Sequence, residues 1–153
     1  MLTPDLSGRT ALVTGSANGV GRELVLAIAA CGADVAVHYR TSDAAAADVA
    51  DLAREAGVAA TTVQADVTDP DAVDALFATV EADLDTVDVL VNNVGAFAPV
   101  HWEEMDFDTW RTVLETNLDG TYLCSKRALP GMREAGDGRI VNIGYASAER
   151  ALV

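Results

Sequence analysis

A glycine-rich turn, Thr14-Gly15-Ser16-Ala17-Asn18-Gly19-Val20-Gly21, lies between the apolar run Thr10-Ala-Leu-Val-Thr14 and a helical pattern from Glu23 to Ala30. No other segment restricts the fold so tightly. Glycine adopts backbone angles that other residues avoid and lets a ligand approach the main chain. With a buried strand before it and a helix after it, such a turn aims free helix N-terminal amides at the phosphates of a dinucleotide. Gly15, Ser16, Asn18, Gly19, Val20 and Gly21 are therefore the expected cofactor-binding residues of the turn.

The same alternation continues to the end of the chain. Strands are expected at Asp34–Tyr39, Ala60–Gln64, Asp88–Asn92 and Gly138–Ile143. Between them, the first helix carries Leu24, Ile28 and Cys31 on helical spacing. An alanine-rich helix from Ala44 to Ala56 stops at Gly57, and Asp69-Pro70 opens a helix with Val73, Leu76, Phe77 and Val80 on one face. One long helix from Phe107 to Met132 presents Trp110, Val113, Leu114, Leu118, Tyr122 and Leu129. Strand–helix units with short connections predict an α/β fold, a Rossmann-like doubly wound parallel sheet with helices on both faces. The 153 residues suit a single domain.

Charge narrows the partners. Twenty-four acidic residues against ten basic ones leave a net charge of −14, which argues against nucleic acid and anionic membranes as partners. The composition, with Lys126 as the only lysine, resembles proteins of salt-loving organisms, and equally suits an ordinary acidic protein. No signal peptide precedes Thr10, and no apolar run is long enough for a membrane helix, so a cytoplasmic location is expected. Cys31 and Cys124 lack metal-ligand spacing, and each is expected to be a small core residue.

The glycine spacing, G-x-x-x-G-x-G, resembles the fingerprint of the short-chain dehydrogenase/reductase family. Four further segments extend the resemblance in chain order: Asp66-Val67, Asn92-Asn93-Val94-Gly95, Glu115-Thr-Asn117-Leu and Gly138-Arg-Ile-Val-Asn-Ile143. Val94 stands where the family usually has alanine. The resemblance implies that Asp66 and Val67 contact adenine, that Asn93 and Gly95 lie beside the cofactor, and that Asn117 holds a water in a proton relay; as a polar group interrupting an otherwise apolar helix face, Asn117 also fits a hydrogen-bonded kink residue. It further implies hydride transfer between a nicotinamide cofactor and a small carbonyl or alcohol substrate. A homo-oligomer built through the 107–132 helix is also implied.

The end of the second strand discriminates between cofactors. An acid about 20 residues after the glycine turn would bind the ribose 2′-hydroxyl of NAD, and an arginine there accommodates the 2′-phosphate of NADP. This chain has Tyr39-Arg40-Thr41-Ser42. Arg40 therefore favours NADP(H) over NAD(H), because guanidinium can pair with a phosphate in bidentate fashion. Arg22 is a second cation near the turn.

The reacting end of the family pattern is incomplete. Its tyrosine and lysine, spaced Tyr-x-x-x-Lys, are expected beyond the serine that comes after the fifth strand. Tyr122-Leu-Cys-Ser-Lys126 has that spacing but lies on the wrong element. Tyr145 falls in the serine register and Ser147 two residues later, so either could hold the substrate oxygen; Ser147 is the candidate catalytic serine. Family members run to about 250 residues, and the pattern predicts a C-terminally incomplete cofactor domain over 1–153. Two functions fit: part of an NADP-dependent oxidoreductase, or an inactive nucleotide-binding remnant or interaction subunit.

Overall fold

In the computed structural model, which describes residues 4–144, five parallel strands form one sheet in the order β3-β2-β1-β4-β5. The strands are β1 (Thr10–Val13), β2 (Asp34–Tyr39), β3 (Ala60–Gln64), β4 (Val89–Asn92) and β5 (Arg139–Asn142). The helices are α1 (Gly19–Ala30), α2 (Asp43–Glu55), α3 (Pro70–Asp83), α4 (Phe107–Leu114) and α5 (Gly120–Ala135). The chain runs outward from β1 to β3, then returns to place β4 on the other side of β1. That reversal beside β1 is the topological switch at which such sheets bind ligands.

Strand alternation divides the core into two layers. Ala11, Val13, Val35, Val37 and Val91 face α1 and α2, meeting Val25, Ala29, Val49 and Ala53. Leu12, Ala36, Val63 and Leu90 face α3 and α5, meeting Leu76, Phe77, Val80, Cys124, Ala128 and Met132. Each fully buried Leu or Phe contributes about 1.5–3 kcal/mol of transfer free energy. The expected face of α3 is the observed one: Val73, Leu76, Phe77 and Val80 are all buried. Asp69 caps that helix by accepting from the Asp71 N–H at 2.9 Å, with Pro70 in its first turn.

Three expectations need correction. On α1 the buried positions are Gly21, Val25 and Ala29, with Leu24 and Ile28 only packed alongside. Cys31 is half-buried at the helix end rather than a core residue. The helix expected over Phe107–Met132 is interrupted by a π-helical turn, Glu115–Asp119. Each residue inserted into a helix rotates the downstream side chains by about 100°, so an apolar stripe does not carry across the turn. Cys124, Ala128 and Met132 face the core, whereas Leu118 and Tyr122 are 60% and 59% exposed. Burial pushes the Cys124 thiol up to about 12, leaving it an inert core group at neutral pH.

Candidate functional site

The carboxyl ends of β1 to β4 border one cleft of about 360 Å³. Its floor is Gly15, Ala17 and Asn18 from the turn after β1. One wall is Tyr39 to Ser42 at the end of β2, and another is Ala65 to Thr68 after β3. Val94 to Ala96 after β4, with Thr112 and Thr116, close the far end. Of the residues singled out in the sequence, Gly15, Asn18, Arg40, Asp66, Val67 and Gly95 thus share one cavity.

The glycine turn is held in a tight shape. Gly15 has φ +65°, a left-handed angle that residues with a Cβ rarely adopt. Gly21 lies in the first turn of α1, and a Cβ there would collide with the Gly15 carbonyl oxygen and stand 2.5 Å from Asn93 Nδ2. Asn18 sits at the N-cap, and its side chain makes no cap hydrogen bond. The leading amides of α1 are therefore left for a ligand.

Several expected site residues hold the turn rather than line the cleft. Asn93 Nδ2 donates to the carbonyls of Thr14 at 2.9 Å and Gly15 at 3.2 Å. Thr14 Oγ1 accepts from the N–H groups of Asn93 at 2.9 Å and Val94 at 3.1 Å. Ser16 is completely buried, and its Oγ accepts from the His38 N–H. Gly19 and Val20 lie exposed at the start of α1. Arg22 is ion-paired with Glu23 and does not border the cleft. Asn92 points across the sheet instead, donating from Nδ2 to Ser125 Oγ and Asn142 Oδ1.

On the β3 side, Thr68 donates both its N–H and its hydroxyl to Asp66 Oδ1. These bonds hold the Asp66 carboxyl below the usual carboxylate range, with Arg40 adding to the effect. The Arg40 guanidinium is 3.9 Å from Asp66 Oδ2 and 69% exposed, a contact too open to bind it firmly. Arg40 is therefore available to an anion at the cleft mouth.

Asn117 lies in the π-helical turn. Its Nδ2 donates to the carbonyls of Ala96 at 2.8 Å and Val113 at 2.7 Å, and its Oδ1 accepts from the Ala96 N–H at 3.3 Å. The amide thus clasps the segment after β4 to the helix, next to Gly95. Tyr122 and Lys126 do not border the cleft, and the Lys126 ammonium stands over the Tyr122 ring at 5.5 Å. Ser147 and Tyr145 lie outside the described residues.

His38 belongs to the site although no motif in the sequence marks it. It is 2% exposed, and its Nδ1 accepts from the Gly15 N–H at 2.8 Å while Nε2 is 3.1 Å from the Ala65 carbonyl oxygen. The only signal was one polar residue near the carboxyl end of an apolar strand. Among the described residues no His, Cys, Asp and Glu group could hold a metal ion, and no helix is long and apolar enough to cross a membrane.

A sequence profile described as short chain dehydrogenase matches residues 9–151. The chain belongs to the short-chain dehydrogenase family. Members of this family use nicotinamide cofactors. The chain is 40% identical, over 90% of its length, to 3-oxoacyl-[acyl-carrier-protein] reductase of Synechocystis sp.. It is 44% identical, over 88% of its length, to cis-4-hydroxycyclohexanecarboxylate dehydrogenase of Sinomonas cyclohexanicum. A short-chain type dehydrogenase/reductase from Mycobacterium marinum superposes with a TM-score of 0.91 at 33% identity, covering 97% of this chain. The short-chain dehydrogenase chain described here spans 56% and 54% of the two relatives and 60% of the solved structure.

Proposed function

We propose that this chain is the cofactor-binding part of an NADP(H)-dependent oxidoreductase acting on a small carbonyl or alcohol substrate in the cytoplasm. The observation that carries the cofactor choice is Arg40. It stands exposed at the mouth of the cleft, on the strand end where an acid would repel a 2′-phosphate. Bound there, NADP(H) would supply or accept the hydride. The glycine turn and the leading amides of α1 would hold the pyrophosphate, and the Asp66–Val67 wall the adenine. The substrate class is supported by the names of the relatives, one a 3-oxoacyl reductase and the other a hydroxy-acid dehydrogenase. Asn117 and Ser147 are the residues assigned to the reacting end.

Fluorescence titration with both reduced cofactors tests the reading. NADPH should bind more tightly than NADH, and Arg40→Ala should weaken NADPH about tenfold while leaving NADH unchanged. Tighter NADH binding would sink the NADP(H) assignment. Leu118 and Tyr122 leave an apolar strip on the outer side of the helical segment, and we assign it to a second copy of the chain. Sedimentation analysis should find a dimer or tetramer that Tyr122→Glu dissociates.

A further inference from the structure

We infer that His38 is a positioning residue for the cofactor, setting the shape of the glycine turn through a neutral imidazole in one tautomer. The inference rests on the cleft being a dinucleotide site. His38 is nearly sealed from solvent at the carboxyl end of β2, between the turn after β1 and the segment after β3. The Gly15 N–H can donate to Nδ1 only if that nitrogen carries a lone pair. The ring proton therefore sits on Nε2, which donates to the Ala65 carbonyl.

The ring does what no backbone group in this place does. The Gly15 N–H is left without a strand partner because the chain turns away from β1 at that residue, and a buried N–H must be satisfied. Nδ1 satisfies it while Gly15 keeps its left-handed angle. The main chain of His38 is tied down by Ser16, whose N–H donates to the His38 carbonyl and whose Oγ accepts from the His38 N–H. Through Nε2 the same ring reaches Ala65, the residue before Asp66. One imidazole thus sets the distance between the floor that would meet the pyrophosphate and the wall that would meet the adenine.

Two near-isosteric substitutions separate the ring's two bonds. Asparagine places its oxygen near Nδ1 and can still accept from Gly15. Glutamine places its amide near Nε2 and can still donate to Ala65. In the full 153-residue chain, His38→Gln should weaken NADPH binding about tenfold, and His38→Asn by about threefold or less. Amide hydrogen exchange of the protein without nucleotide should find Gly15 protected in wild type and His38→Asn, and fast in His38→Gln. Equal affinity and equal Gly15 protection in wild type and His38→Gln would overturn the inference, as would His38→Asn binding no better than His38→Gln. If the wild-type chain binds neither NADPH nor NADH, the cofactor reading fails, and Gly15 exchange alone then decides whether His38 shapes the turn. Should His38→Gln not fold, nitrogen NMR of the wild-type ring decides: a proton on Nε2 upholds the inference, and a proton on Nδ1 overturns it.

Discussion

The turn after β1 and the segment after β4 lie side by side at the same end of the sheet, yet they are held differently, one at many points and the other at one. The first is short, with Gly15 in a left-handed angle and Gly21 pressed against its carbonyl, and it is braced at several points by His38 and Asn93. The second runs from Asn93 to Asp106 before α4 begins and is gripped from outside, by Asn117 on an interrupted helix. At Gly21 the turn has no room for a side chain. A long segment beside a reacting centre can instead be clasped at one point and left variable elsewhere, the usual division between scaffold and functional loop. The π-helical turn supplies that clasp, and such turns recur at functional positions.

The contrast predicts a ranking of variants. The largest effect should come from Gly21→Ala, because the new methyl meets backbone on one side and the Asn93 amide on the other. Urea unfolding should record a loss of about 3 kcal/mol, with NADPH binding abolished. A wild-type-like midpoint and affinity would mean that the close approach of Gly21 to Gly15 and Asn93 does not shape the turn. Asn117→Ala should come next, at about 2 kcal/mol, because it removes a donor shared by two carbonyls. Faster proteolysis between Asn93 and Asp106 should accompany that loss, while amide exchange at Gly15 stays unchanged. If exchange in the glycine turn rises as much as in the segment after β4, the two regions are not separately held.

A smaller effect is expected from pH. Burial holds the His38 imidazole below its ordinary value of 6.5, against the raising influence of its bond to Ala65 and of the nearby Asp66 carboxylate, which faces Arg40. As pH falls through 6.5 the unfolded chain takes up a proton that the folded protein still refuses. Stability present above pH 6.5 should therefore decline as pH drops towards the lower folded value. His38→Asn should flatten that slope. The lowered carboxyls of Asp66, Asp106 and Asp137 act in a separate window, their contribution being lost only as pH falls below about 3.8. Arg40→Ala should have the smallest effect on stability, within about 0.5 kcal/mol, since its one ion pair is long and exposed.

Much of this was legible in the residues themselves. Local periodicity located all five strands, and on α3 it named the buried face residue by residue. The order of five short segments identified the family that the profile match establishes. Legibility failed where packing overrode spacing. On α1 the stripe slipped by one position, from Leu24 and Ile28 to Val25 and Ala29, the face that Gly21 turns inward against the Gly15 carbonyl. Across Phe107–Met132 one helix was expected, and Asn117, read as a polar interruption of its apolar face, was the only sign of a break in Glu115-Thr-Asn-Leu-Asp119. The π-helical turn carries Asn117, whose amide bonds Ala96 on a segment brought alongside only by folding.

The sequence by itself determined the alternation of strand and helix, the glycine turn and the cation at the end of β2. These are properties of neighbours in the chain, set by backbone sterics and by which side chains recur on one face. Only the tertiary structure decided which of the candidate residues face the cleft and which brace it. Asn93, Ser16 and Asn117 turned out to brace, and His38 entered the site unannounced. The physical reason is the strand order. His38 meets Gly15, 23 residues earlier, and Ala65, 27 residues later, because β2 lies between β1 and β3. No pattern confined to neighbouring residues records that a lone histidine will have both of its nitrogens satisfied by adjacent strand ends.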